Sequence, residues 1–417
     1  MSEVQYLPLT AVTTLVTDGK HGDCKNEENS GYYFLSSKDL RDGRLHYDNP
    51  RQINFKEFAE THRRTNLEVG DILLANTGAS IGRVGIAQAD NRIPNTTFQK
   101  SISVIKADKS IIDNRYLYYF FKDNSDLLSR LGGGAAQPNL LLGDIRKIQV
   151  RVPEKNTQIK IANILSQYDN LIENNNRRIA ILEDMAQSLY REWFINFRYP
   201  NHENNLDTNG NLKLIDFPLG QIPEGWEVKC LKDIGLINTG KTPSKKKEEN
   251  YSSRDVPFIK TPDMHSGMFV LNTKEMLSTL GADSQKNKYI PSWSICVSCI
   301  GTAGIVALSS QRSQTNQQIN TLVPDSKKYI EFMYFALKSL KKTIENHGAT
   351  GATMTNLSKG KFEALEIVFP NESMLNEFHN LANPMFKQIQ NLSRKNENLK
   401  EQRDMLLSRL MSGAVEL

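Results

Sequence analysis

The chain has 417 residues, 39% apolar and 24% charged, with 52 Lys and Arg against 47 Asp and Glu for a net charge of +5. At about 150 residues per domain this length suggests two or three domains, and the composition excludes wholesale disorder. There is no run near the roughly 18 apolar residues of a membrane span, the opening MSEVQYLPLT lacks the marks of a secretory signal, and four cysteines are too few for a disulfide framework, so a reduced, cytoplasmic protein is expected.

Residues 1–155 carry short apolar or alternating runs broken by Gly, Pro, Asn and Asp, including SISVIKA (101–107) and KIQVRVP (147–153). This pattern predicts a β-rich domain, with a helix over 113–131. Residues 156–199 then read as helix. Leu165, Ile172, Ile179, Ala186 and Trp193 fall seven apart, interleaved by Tyr168, Asn175, Leu182 and Leu189. The β-rich pattern returns over 200–370, in WSICVSCI (293–300) and EALEIVFP (363–370), with a helix over 327–346. The final segment, 371–417, is helical again. There Leu375, Ala382, Ile389, Asn396, Arg403 and Leu410 interleave with Phe378, Met385, Leu392, Leu399 and Leu406.

Apolar occupancy sustained over about four heptads predicts a coiled coil, and the two seam asparagines would fix its register. Asn383-Pro384 suits an N-cap followed by a first-turn proline, and Ser166 with Asp169 forms a weak capping box. Each helix is therefore expected to break near its start and continue for about 30 residues, or roughly 45 Å.

The chain is also written twice. LGGGAAQPNLLLGDIRKIQVRVP (131–153) matches GATGATMTNLSKGKFEALEIVFP (348–370) at an offset of 217, and Tyr116-Leu117-Tyr118 meets Met333-Tyr334-Phe335 at the same offset. GDILLANTGASIGRVGIA (70–87) resembles PSWSICVSCIGTAGIVALS (291–309) with a small shift. A second helix can bury its seam only by running back along the first. The expected fold is α+β, with two pseudo-twofold-related β-rich domains separated by an antiparallel two-helix coiled coil.

The helical segments are charge-neutral, and the excess lies in the β-rich parts, in clusters such as KTPSKKK (241–247), Arg63-Arg64 and Lys341-Lys342. This distribution weakly favours a nucleic-acid partner.

Catalytic motifs are few. GLINTGKT (235–242) matches G-x-x-x-x-G-K-[ST], and a P-loop nucleotide-binding enzyme using Gly235–Thr242 is the alternative function it raises. Pro243 and a lysine run follow in place of helical periodicity, so a turn carrying basic residues is the favoured reading. Asn383-Pro384-Met385-Phe386 lacks the second proline of the amino-methyltransferase [DN]-P-P-[YF] motif. Cys296 and Cys299 form a lone C-x-x-C within an apolar run and read as buried strand residues rather than zinc ligands. No metal or cofactor is expected. The Gly-rich segments LGGGAAQ and SCIGTAG read as tight turns.

Over nearly its whole length the chain resembles the specificity subunit of type I restriction-modification systems. The resemblance rests on SLYREWFINFRYPNHE (188–203), LGQIPEGWEVKCLKDIG (219–235) with GKTP behind it, GDILLANTGASIGRVG, the AAQPNL and ATMTNL turns, and the terminal LLSRLMSGAVEL. It departs from the family in carrying Ser408 where proline is common.

The resemblance implies a non-catalytic DNA-reading subunit. Two target-recognition domains (1–155 and 200–370) would each bind half of a bipartite double-stranded DNA target, and the central (156–199) and C-terminal (371–417) helical regions would set the gap. The same helices would dock two modification (methyltransferase) subunits, with restriction/translocase subunits joining the full complex. Expected coiled-coil residues are Leu165, Ile172, Asn175, Ile179, Leu182, Leu189, Ile389, Leu392, Asn396, Leu399 and Leu406. Expected DNA-binding residues, chosen as Arg, Lys and planar amides on loops or strands, are Lys20, Lys25, Arg83 and Gln99 in the first domain. Those in the second are Lys241, Lys245, Lys246, Arg312, Gln317 and Gln318, while Asn139 and Asn356 read as turn-shaping. A coiled-coil adaptor without DNA binding is the remaining alternative.

Overall fold

The computed structural model describes residues 5–133, 139–210, 212–217, 220–252, 254–348, 355–415 and 417. It divides into two compact units, Met1–Ile172 with Leu399–Leu417, and Glu173–Asn398. They are called unit 1 and unit 2 below.

Unit 1 is built on a four-stranded sheet of β1 (Thr13–Asp18), β2 (Ile72–Ala75), β3 (Val84–Ile86) and β4 (Ile102–Ala107), in the order β1-β4-β2-β3. All pairs are antiparallel. Period-two alternation sends side chains to both faces. Ile72, Leu74 and Ile105 share a core with Tyr116, Leu117 and Phe121 of helix α1 (Asn114–Asp123), and Leu73, Ala75 and Val104 meet Leu35, Leu40 and Phe98 on the other face. Burial on both faces explains why Ile72–Ala75 is a continuous apolar run, ILLA. The helix expected over 113–131 is two, α1 and Ser125–Leu131, because Asn124 leaves helical geometry and its amide donates to Phe120 O.

Unit 2 repeats the plan with β5 (Gly235–Thr239), β6 (Phe269–Val270), β7 (Ile295–Ser298), β8 (Val306–Ser309) and β9 (Ile319–Pro324). The order is β5-β9-β7-β8-β6, so the first four strands reproduce unit 1 and β6 is an added edge. Ile102 and Ile319, which begin β4 and β9, stand 217 apart. A short parallel pair accompanies each sheet: Tyr33–Leu35 with Thr96–Phe98, and Phe258–Ile259 with Gln314–Thr315. An antiparallel pair closes each domain, Gln5–Pro8 on Gln149–Val152 and Glu227–Cys230 on Glu366–Phe369. The duplication read from sequence is thus a duplication of strand order and pairing.

Two long helices pass through both units. α2 spans Lys155–Tyr190 (36 residues) and α4 spans Glu372–Ser412 (41 residues); helix α3 (Ile330–Ser339) lies between them in sequence. In unit 1, Ile161, Ala162 and Leu165 of α2 share a core with Leu407, Leu410 and Met411 of α4. In unit 2, Asn175 donates to Asn396 at 2.8 Å and the Tyr190 and Phe378 rings stand 6.4 Å apart, so the helices run antiparallel. The Asn396 amide donates in turn to Asn176 at 2.8 Å, which satisfies the buried seam.

The expected breaks do not occur. Pro384 lies inside α4, and Ser166 is mid-helix with its hydroxyl donating to Asn163 O at 3.1 Å. An interior proline costs about 3 kcal/mol. Here the burial of Ala382 and Phe386 around it, and the bond from Asn383 to Glu331 at 2.7 Å, offset that cost. Asn383 is occupied across the helix interface and does not cap.

Leu165, Ile172, Asn175, Ile389, Leu392 and Asn396 are buried, while Ile179, Leu182, Leu189, Leu399 and Leu406 are half-buried. Arg403 occupies an a/d position yet is satisfied by Asp169 at 2.5 Å, which also receives the Tyr119 hydroxyl at 2.7 Å. Ser408, where the resemblance leads one to look for proline, sits within α4 and donates to Asp123 at 2.7 Å. No helix among the described residues is long and apolar enough to cross a membrane.

Candidate nucleic-acid interface

The corresponding point of each domain is the exit from its first sheet strand. In unit 1, β1 runs into Gly19-Lys20, whose backbone lies against Phe98-Gln99: Lys20 N donates to Phe98 O at 2.8 Å and Lys100 N to Lys20 O at 3.0 Å. A Cβ on Gly19 would sit 2.0 Å from Phe98 O, so only glycine permits this approach. In unit 2, β5 runs into Gly240-Lys241. Gly240 N donates to Ile319 O at 3.1 Å and Lys241 N to Thr315 O at 3.0 Å, and a Cβ on Gly240 would lie 2.2 Å from Asn316 O. Both domains thus present a Gly-Lys turn clamped on the segment that precedes the next sheet strand.

This geometry removes the nucleotide-binding alternative. Gly235–Thr239 is an antiparallel strand paired with β9, from Gly235↔Pro324 to Thr239↔Asn320, and the next element after the turn is the single 3-10 turn Glu248–Asn250. A phosphate loop needs a helix N-terminus behind it. Only the Gly240-Lys241 end of the motif is a basic turn.

The expected DNA-binding residues fall into different settings. Lys20 is half-buried and ion-paired with Glu57, and with Glu60 at 3.6 Å; the Glu57 carboxylate holds the lysine above its ordinary pKa. Gln99 is half-buried and bridged to Lys20 through the backbone. Lys25 is exposed. Arg83 is exposed on the β2–β3 hairpin, which is held by Ser129 donating to Ile81 O at 3.1 Å.

In unit 2, Lys241, Lys245, Lys246, Arg312 and Gln317 are exposed and Gln318 is half-buried. Thr242 donates to Gln317 Oε1 at 2.6 Å, which ties the turn to the segment holding Gln317 and Gln318, and Gln318 Oε1 accepts from Asn316 at 3.0 Å. Lys245 pairs with Glu275 at 3.2 Å, whereas Lys246 has no ion pair among the described residues.

Sequence reasoning missed Gln285 and Gln314, both buried. The Gln285 amide donates to Lys241 O at 2.8 Å and to Gln314 Oε1 at 2.7 Å, and Gln314 donates to Ala282 O at 2.8 Å. This network fixes the backbone of the basic turn. No local pattern marks it, because Gln285 and Lys241 are 44 residues apart.

Asn139 bridges to Thr77, and Asn356 pairs with Ile300, so each closes a short pairing onto the glycine-containing hairpin of its domain. Most of the preceding Gly-rich turns, over 134–138 and 349–354, lies outside the described residues. In SCIGTAG, Gly301 and Gly304 take φ of 79° and 78°, as tight turns require.

Cys296 and Cys299 are buried in different apolar clusters, so their thiols do not converge on one ion. Burial pushes the Cys296 thiol up to about 12 and Cys299 up to about 11. Neither presents thiolate at neutral pH. Iodoacetamide at pH 8 is therefore expected to alkylate the half-buried Cys230 and leave Cys296 and Cys299 unmodified until denaturation, as read by peptide mass spectrometry. Rapid native labelling of Cys296 would contradict its burial.

The family model described as the type I restriction modification DNA specificity domain matches the chain twice, over residues 12–184 and 223–402. The chain belongs to the type I restriction-modification DNA specificity family. The HindI specificity subunit of Haemophilus influenzae is 31% identical over 404 residues, covering 84% of this chain and 87% of that relative. The MjaIX specificity subunit of Methanocaldococcus jannaschii is 28% identical over 392 residues, covering 92% and 87%. The crystal structure of a type I restriction-modification S subunit from M. genitalium superposes with a TM-score of 0.61 at 16% identity, covering 98% of this chain and 96% of that one. Membership makes the chain a DNA specificity subunit with the α+β fold of the family, and each match contains one of the clamped lysine turns.

Proposed function

We propose that this chain is the non-catalytic, DNA-reading subunit of a cytoplasmic type I restriction-modification complex. Residues 1–155 and 200–370 each read one half of a bipartite duplex target, and the helical segments 156–199 and 371–417 set the gap. Two modification subunits dock on those segments and restriction subunits join them. The observation that supports this reading is the duplicated Gly-Lys turn: both domains hold a lysine on a rigid backbone at the same topological point, and the exposed Lys241 can meet a phosphate or base edge there, whereas Lys20 would first have to leave Glu57. The mild basic charge of the two domains suits a subunit that grips DNA together with its partners.

The test is a domain exchange. Residues 1–155 are replaced by those of a relative, the chain is assembled with its modification subunits, and methylated adenines are mapped on genomic DNA. One half-site is expected to change while the other half and the gap stay the same. A change in both halves, or in neither, would refute the two-reader model. Absence of DNA binding at any salt concentration, with partner subunits present, would favour the adaptor reading.

A further inference from the structure

Three arginines lie over aromatic rings among the described residues, and the way their N–H groups are used separates them. Arg51 stands 5.2 Å from the Phe34 centroid, but its guanidinium donates to Asn26, Asp23 and Cys24 O. Arg92 lies 4.0 Å over Tyr47 with its fork closed on Asp90 at 2.8 and 2.6 Å. Both are structural staples. Arg312 approaches its ring most closely, 3.5 Å from the Tyr289 centroid, yet it is exposed and has no hydrogen bond or ion pair among the described residues.

The mount beneath Arg312 is rigid. Ile290 and Ser313 exchange both backbone hydrogen bonds, at 2.9 and 3.0 Å. The Tyr289 hydroxyl donates to Asp283 at 3.2 Å, which fixes the ring that carries the arginine. Two residues beyond Arg312 begins the strand Gln314–Thr315, whose Thr315 carbonyl clamps Lys241. The stacked arginine thus shares a backbone segment with the basic turn of unit 2.

A guanidinium flat on an aromatic face keeps its in-plane donors open at its edge while giving up much of its rotamer freedom before any ligand arrives. A phosphate contact needs only charge within reach, which a mobile lysine supplies. A rigid planar fork matches instead the paired acceptors O6 and N7 of guanine in the major groove.

We propose that Arg312 reads a guanine in the half-site taken by unit 2, with Tyr289 as its positioning residue. This rests on the DNA-reading function above. The experiment assembles the full chain with its modification subunits, selects bound sequences from a randomised duplex library, and compares wild type with Arg312→Ala, Tyr289→Phe and Tyr289→Leu. Arg312→Ala is expected to lower the preference for guanine at one position of one half-site by about ten- to a hundredfold, with the other half-site unchanged as an internal control of folding. Tyr289→Phe keeps the aromatic face but loses the Asp283 tether and is expected to retain most of the preference, whereas Tyr289→Leu loses the face and weakens it further at the same position.

A uniform loss across all sequences, with the salt slope reduced by about one, would mark a phosphate contact and overturn the proposal. An unchanged guanine preference in Arg312→Ala, or a unit 2 half-site without a G·C pair, would overturn it too while leaving the DNA-reading function intact. A wild-type complex with no sequence preference would overturn that function itself.

Discussion

Phe378→Ala is expected to lower the stability of unit 2 by about 3–5 kcal/mol. Phe378 is fully buried on α4, and its ring meets Phe194 at 4.9 Å, Trp193 at 5.8 Å and Tyr190 at 6.4 Å between centroids. These partners come from the end of α2 and the turn after it, so one side chain joins both long helices to the unit 2 core. The loss combines the transfer free energy of the ring with a cavity that rigid aromatic neighbours cannot fill. Protection of unit 2 amides against hydrogen exchange measures it. A loss below about 1 kcal/mol would mean that the cluster collapses around the gap.

The second large effect lies one residue on. Glu331 of α3 is fully buried; His379 Nδ1 meets one carboxyl oxygen at 2.7 Å and the Asn383 amide donates to the other at 2.7 Å. Replacing His379 by alanine removes one of two donors from a carboxyl group that water cannot reach, at an expected cost of about 3 kcal/mol. Replacing Glu331 and His379 together by leucine is expected to recover part of that loss, because the stranded carboxyl group is gone although the Asn383 amide loses its acceptor. Urea unfolding of the two variants provides the comparison. A double variant as unstable as the single one would show that the pair itself supplies stability.

These two sites explain why α4 is continuous. Read locally, Asn383-Pro384 is a helix start, and the inference fails because it treats the asparagine as free to cap. Its amide is committed to Glu331, 52 residues away, and Phe386 and Ala382 are buried on either side of the proline. Tertiary contacts over-determine the helix and absorb the missing backbone hydrogen bond. The Ser166 site fails for a related reason, since its hydroxyl bonds back to the preceding turn.

The candidate interface was only partly legible. Lysines at 20 and 241 could be chosen as basic residues on loops beside strands, and both occupy the clamped turn of their domain. Their electrostatic settings could not be read from the sequence. Lys20 meets Glu57 on a helix 37 residues away, while Lys241 meets the amide network of Gln285 through its carbonyl. The stack of Tyr289 under Arg312 was equally invisible, since each residue alone resembles any other surface side chain.

Contiguous residues determine, through their period, where this chain forms strands and where it forms long helices, and self-similarity at 217 residues determines that it does so twice. The same local information settles the seam asparagines, Asn175 and Asn396, because heptad position follows from helix geometry. Tertiary structure alone decided that both helices run unbroken, that Glu331 is held by α4, that Gly235–Thr242 is no phosphate loop, and that Arg312 lies stacked with its donors open. The physical reason is common to all four. Periodicity is carried by neighbours in sequence, whereas a hydrogen bond or a stack forms between side chains that only the topology brings within a few ångströms.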